Sequence, residues 1–151
     1  MSGKKDEEAQ ALVETAVAML LFALIILGAA EFGQLAFAAM EVSDAANAAA
    51  QYGSQSSYTA ADSAGMLAAA RNEYISPSAL TVSSAYACSC AGSGTSTSCT
   101  NNSLTNPACP GSYMEITVTI QTQASYTPPI HIPGLSGPFT LNGAAKRKVL
   151  Q

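Results

Sequence analysis

Charge is what this chain has least of. Only 11% of its 151 residues are Asp, Glu, Lys or Arg, against about a quarter in an ordinary soluble domain. The six basic residues are Lys4, Lys5, Arg71 and the run Lys146-Arg147-Lys148. They form no patch large enough to neutralise a phosphate backbone, so nucleic acid is not a partner. Tryptophan is absent, and His131 is the single histidine. One histidine between prolines has no second histidine to share a metal and no nucleophile beside it. Neither a P-loop nor a dinucleotide fingerprint occurs. These absences argue against an enzyme, and no catalytic residue, metal site or cofactor is expected. Proline is missing from the first 76 residues, so nothing there need break a helix.

What fills that proline-free stretch is a run as apolar as a membrane span. From Ala11 to Ala30 the only charged residue is Glu14. About 20 such residues cross a bilayer as a helix. A carboxylate near the start of the span costs free energy unless it reaches the interface or finds a partner, which makes Glu14 a functional candidate. The plain alternative is that Glu14 sits at head-group level in water. Beyond the span, Leu35, Ala38, Ala39, Val42, Ala45, Ala46, Ala49 and Tyr52 recur at steps of three and four, with Glu41, Asp44, Asn47 and Gln51 on the other side. That periodicity continues one helix from about residue 10 to about 52, stopping at Gly53. Such a helix is roughly 65 Å long, twice the hydrocarbon core, so half of it leaves the membrane. Glu31 falls at the exit, where a solvated carboxylate accounts for it.

A second helix is expected from Thr59 to Tyr74, with Thr59 as N-cap, Asp62 three residues on, and Ser76-Pro77 as its stop. After Pro77 the period becomes two. Leu80, Val82, Ser84, Tyr86, Cys88 and Cys90 share one strand face, and Met114, Ile116, Val118 and Ile120 alternate with polar residues in the clearest strand. Asn142-Gly143 carries a hairpin signal between Phe139–Leu141 and Ala145–Leu150. Pro128-Pro129 and Pro133-Gly134 make a rigid crossover. The Asn101-Asn102-Ser103 triplet formally matches a glycosylation acceptor.

The four cysteines, Cys88, Cys90, Cys99 and Cys109, bracket a long Gly/Ser/Thr/Asn loop. An even count behind a membrane segment favours two disulfides in an oxidising compartment. A four-cysteine zinc site would need two closely spaced pairs, and only Cys88 and Cys90 form one. Nested pairing is expected, Cys90 with Cys99 and Cys88 with Cys109, because it leaves neither strand crossed. The fold class is therefore α+β: a long N-terminal helix (span plus amphipathic extension), a second short helix, and a small antiparallel sheet with a disulfide-stapled loop.

Gln-Ala-Leu-Val-Glu-Thr-Ala-Val at residues 10–17 and Glu-Phe-Gly-Gln-Leu at 31–35 resemble the N-terminal signature of TadE-like proteins, minor pilins or pseudopilins of the tight-adherence (Flp) branch of type IV pilus systems. The resemblance is strong over residues 9–52 and beyond them extends only to general layout. It implies a cytoplasmic leader at 1–9, a transmembrane stretch at about 11–31 within a helix at 10–53, and an exported α+β domain at 54–151. The family's glutamate at mature position five falls on Glu14. That places cleavage by a prepilin peptidase between Ala9, where the family prefers glycine, and Gln10. Its implied partners are other pilin subunits, that peptidase, a pilus assembly platform and membrane lipid. Its implied location is the bacterial inner membrane, single-pass, with the C-terminal domain exported and able to enter an extracellular filament.

Two rival readings come from the residues themselves. In one, Lys4-Lys5, Val17–Leu27 and Gly28-Ala29-Ala30 form a signal peptide, and a small disulfide-bonded domain is secreted from Glu31. Asp6, Glu7 and Glu8 outweigh the lysines, and Glu14 interrupts the approach to the apolar core, so neither suits that reading. In the other, the chain is a membrane-anchored adhesion module.

Overall fold

The computed structural model describes residues 3–76, 79–99, 109–129 and 137–149. Helix α1 runs unbroken over Gly3–Gly53, about 75 Å at 1.5 Å per residue. It begins in the polar N-terminal residues, so these, the apolar run and the amphipathic extension are one rod. Its two halves have opposite surroundings. From Leu12 to Leu27 the large apolar side chains are all exposed. From Ala38 onward the small ones, Val42, Ala45, Ala46, Ala49 and Ala50, are buried in the core of the body.

Two short helices follow, α2 at Ser57–Ala61 and α3 at Ser63–Asn72. The single helix expected from Thr59 to Tyr74 is thus divided. The cap belongs to Ser56, whose Oγ accepts from the Thr59 amide while the Thr59 hydroxyl accepts from the Ser56 amide. Asp62 is the reason for the division. Its Oδ1 accepts the Gly65 amide at 2.9 Å, which starts α3, and its Oδ2 accepts the Tyr52 hydroxyl at 2.7 Å. A carboxylate with a free amide within reach caps a new helix in preference to continuing the old one. The chain leaves α3 at Asn72, before Ser76.

Asp62 also sets a pH dependence. The Gly65 amide first, and then the Tyr52 hydroxyl, hold its carboxyl below the ordinary aspartate value. A lowered folded pKa contributes stability that is present above the unfolded value and lost as pH falls through the folded one. Melting curves from neutral pH downward should therefore show an acid limb below about pH 4. Asp62→Ala should melt lower at neutral pH and show a shallower limb. Parallel limbs for the two proteins would remove Asp62 from the acid response.

Four antiparallel strands form one sheet in the order β2-β1-β3-β4: β1 Thr81–Cys90, β2 Ser96–Thr97, β3 Met114–Tyr126 and β4 Phe139–Lys148. Strand β3 is central. Its even-numbered residues from Met114 to Ala124 are all buried, and their odd-numbered neighbours face outward. This is the alternation of a sheet covered on one face, and the C-terminal half of α1 supplies the cover.

The Asn142-Gly143 hairpin does not form. Residues 139–148 are one strand paired along β3, with Asn142 opposite Gln123 and Gly143 opposite Thr122. The glycine serves close approach instead. A Cβ there would lie 2.5 Å from Thr122 Oγ1 and 2.5 Å from the Val42 carbonyl oxygen. Through this gap the buried Thr122 hydroxyl donates to the Val42 carbonyl at 2.7 Å, tying sheet to helix. Alanines on α1 and a glycine on β4 let the two layers meet at backbone distance.

The cysteines form two disulfides, Cys88–Cys99 and Cys90–Cys109, each with a Cα separation of 5.4 Å. The nested pairing is overturned, and the bridges interleave. The cause is β2. The turn after Cys90 folds the chain back antiparallel, with Ser96 opposite Ser89 and Thr97 opposite Cys88. Cys99 has by then passed the level of Cys90 and meets Cys88. Cys109 arrives at the other side of the strand end, where the Ser112 hydroxyl donates to the Ala91 carbonyl at 2.6 Å and the Ala91 amide to the Tyr113 carbonyl at 2.9 Å. There it faces Cys90. His131, the Asn101-Asn102-Ser103 triplet and the Pro133-Gly134 crossover lie outside the described residues.

Candidate membrane anchor and assembly site

Glu14 sits in the naked half of α1, exposed, with Leu12, Val13 and Val17 exposed around it. Next to it, the Thr15 hydroxyl donates to the Ala11 carbonyl at 2.8 Å, so that polar group is satisfied within the helix. An apolar surface all round a helix needs either a protein core or lipid. None of the most apolar window of α1 is buried within the chain. This is the one described helix long and apolar enough to cross a membrane, and it is the chain's candidate membrane anchor.

Gln10 and Glu14 lie one turn apart on this rod, and the Ala9–Gln10 bond lies inside the same helix. The cysteines are not part of this region. They staple the far end of the sheet, and Glu14 lies about 25 Å along the axis below Glu31.

Glu31 departs from expectation. It is 8% exposed, not solvated. Glu31, Leu35, Ala38 and Val42 follow one another at steps of four, three and four, so Glu31 opens the stripe that faces the body. Extending the stripe one turn toward the N-terminus is the signal in the sequence that would have found it. Glu41 departs in the same direction. Asp44, Asn47 and Gln51 are exposed as expected of a polar face, but Glu41 is half-buried beside Tyr74.

All four cysteines are disulfide-bonded and hold no metal. Among the described residues no group of three or more His, Cys, Asp or Glu could hold an ion.

A family model described as TadE-like protein matches residues 9–51. Over this stretch the chain is similar to TadE-like proteins. The match starts at the residue before Gln10 and ends two residues short of the end of α1 at Gly53. It therefore covers the anchor and the spine of the body as one unit. No curated protein and no solved structure matches the chain. The sheet and its disulfides lie outside the TadE-like match.

Proposed function

We propose that the chain is a minor pilin or pseudopilin, a structural assembly subunit of a tight-adherence pilus or secretion apparatus, with no enzymatic activity. The observation that supports this most is the division of the TadE-like helix: one unbroken rod, lipid-like on its first half and built into a folded body on its second. A subunit of this form is held in the membrane before assembly and packs its apolar half against other subunits afterward. In this reading residues 1–9 are cytoplasmic, the body is exported across the bacterial inner membrane, and the partners are other pilin subunits, a prepilin peptidase and an assembly platform.

Cleavage after Ala9 creates a free amine on Gln10. In a packed array the Glu14 carboxylate of one subunit pairs with that amine on its neighbour. A charge left alone in hydrocarbon is costly, so the pair favours one axial register. Two measurements test this. Intact mass after co-expression with a prepilin-type peptidase should begin at Gln10. Glu14→Ala should insert as well as wild type, since it removes a charge from the span, and should lower incorporation into the assembly by about tenfold, the effect of about 1.4 kcal/mol. Wild-type incorporation of the alanine variant would reduce Glu14 to a passive interfacial residue.

The secreted-domain reading has one observation in its favour. Contact with the body begins at Glu31, so a cut after Ala30 would leave every buried residue of α1 in place. An N-terminus at Glu31 in the same mass measurement would favour it over the pilin.

A further inference from the structure

Where α1 leaves the span, a cleft of about 480 Å³ opens between it and the body. Its polar and aromatic lining comes from three elements: Gln34, Phe37 and Glu41 on α1, Tyr74 and Ser76 after α3, and Tyr126 at the end of β3. Among the described residues no Lys, Arg or His lines it. The volume is that of a small-molecule site.

We propose that this cleft binds the ammonium head group of a phospholipid in the outer leaflet of the membrane that α1 crosses. The proposal rests on the reading of α1 as a membrane span. Three observations carry it. The first is chemical. One carboxylate among three aromatic rings, with no cation beside it among the described residues, is the combination that holds an ammonium, by ion pairing and by the negative faces of the rings. Glu41 lies close enough to Tyr74 that its charge, after partial burial, raises the phenol above its ordinary pKa. The second is a missing partner. The Tyr126 hydroxyl is buried and finds no hydrogen bond among the described residues, and a phosphate oxygen next to the ammonium would accept from it. Gln34 and Ser76 are neutral donors for the same phosphate.

The third observation is depth. The inner end of the cleft is Ala30 and Gly33, at the end of the apolar run. Glu41 lies about 15 Å beyond Glu31 along the axis, and its side chain leans back toward the N-terminus and so toward the head-group zone. Phe37 and Ile75, which line the cleft, are exposed, Ile75 by 76%. Ile75 belongs to the body rather than to the span, and an apolar side chain there suits an underside resting on lipid.

The test uses the full chain purified in a non-ionic detergent. It is offered equal amounts of phosphatidylethanolamine and phosphatidylglycerol, and retained lipid is counted by native mass spectrometry. Wild type should retain phosphatidylethanolamine over phosphatidylglycerol by at least about fivefold. Soluble glycerophosphoethanolamine should compete, as it cannot if only acyl chains are held. Glu41→Gln should bring the two lipids to parity. Tyr126→Phe, which removes a donor to the phosphate that both lipids carry, should lower retention of each about twofold and leave their ratio unchanged. Parity in wild type, or an unchanged ratio in Glu41→Gln, would overturn the proposal. So would retention of a second copy of the chain in place of lipid. Carbonate extraction of membranes separates the two layers of the argument. A chain that stays with the membrane but shows parity loses only the cleft proposal, whereas release into the supernatant would sink the span as well.

Discussion

Replacing Gly143 by alanine is expected to be the most damaging single methyl addition in the described chain. The new Cβ would lie 2.5 Å from the Val42 carbonyl oxygen, 2.9 Å from its carbon and 2.5 Å from Thr122 Oγ1. Two of these atoms are helix backbone, which cannot rotate away, so α1 has to lift from the sheet. Overpacking of this kind costs about 1–3 kcal/mol. Lifting also breaks the buried Thr122–Val42 hydrogen bond, and a buried group left unpaired adds about 1–3 kcal/mol. Because one movement causes both, the sum is non-additive, and a loss of about 2–4 kcal/mol is expected. Urea or thermal unfolding of the detergent-solubilised chain measures it. Thr122→Val, which removes the bond and keeps the shape, should cost less than Gly143→Ala and should be nearly silent in the double variant. A Gly143→Ala cost at or below about 1 kcal/mol, ordinary for a glycine with room around it, would contradict the close contact.

The second large effect is in the disulfides, where connectivity and stability are tested together. Cys88 pairs with Cys99 across 11 residues, and Cys90 with Cys109 across 19. In the chain-entropy model each bridge contributes about 3 kcal/mol by restricting the unfolded chain. The body depends on them because nearly half of its buried core residues are alanines, which bury little apolar surface each. The double variant Cys88→Ser/Cys99→Ser should keep the other bridge, show no alkylatable thiol without reductant, and lose about 3 kcal/mol. Cys90→Ser/Cys99→Ser should instead leave two free thiols, on Cys88 and Cys109. Under nested pairing the thiol counts of the two variants would exchange, so intact mass after alkylation decides between them.

Local order was legible wherever one rule governed a long stretch. The apolar run, the three- and four-residue steps from Leu35 to Tyr52, and the two-residue alternation of β3 each repeat over several turns or pleats. A repeat over that length outweighs any single residue's preference. The TadE-like signature lies in the same stretch, so anchor, processing position and Glu14 were candidates before any coordinates. Asp62 was read by position as part of a cap but given to the wrong helix. Two hydrogen-bond geometries compete for one carboxylate, and sequence spacing does not choose between them.

What the sequence determined by itself is this: a rod with one lipid-like half, a covered central strand and cysteines oxidised in pairs. Each follows from composition or period, which act along the chain. Tertiary structure alone decided the rest. Gly143 fits a hairpin turn as well as a close contact, and only the helix lying across Thr122 selects the contact. Cys90 is nearer Cys99 in sequence, but the antiparallel return through β2 carries Cys99 to the level of Cys88. Glu41 belongs to a polar stripe until Tyr74 and Tyr126, from two distant segments, close a cleft beside it. In all three the deciding atom lies across the fold, on a neighbour that packing brings near and sequence order does not.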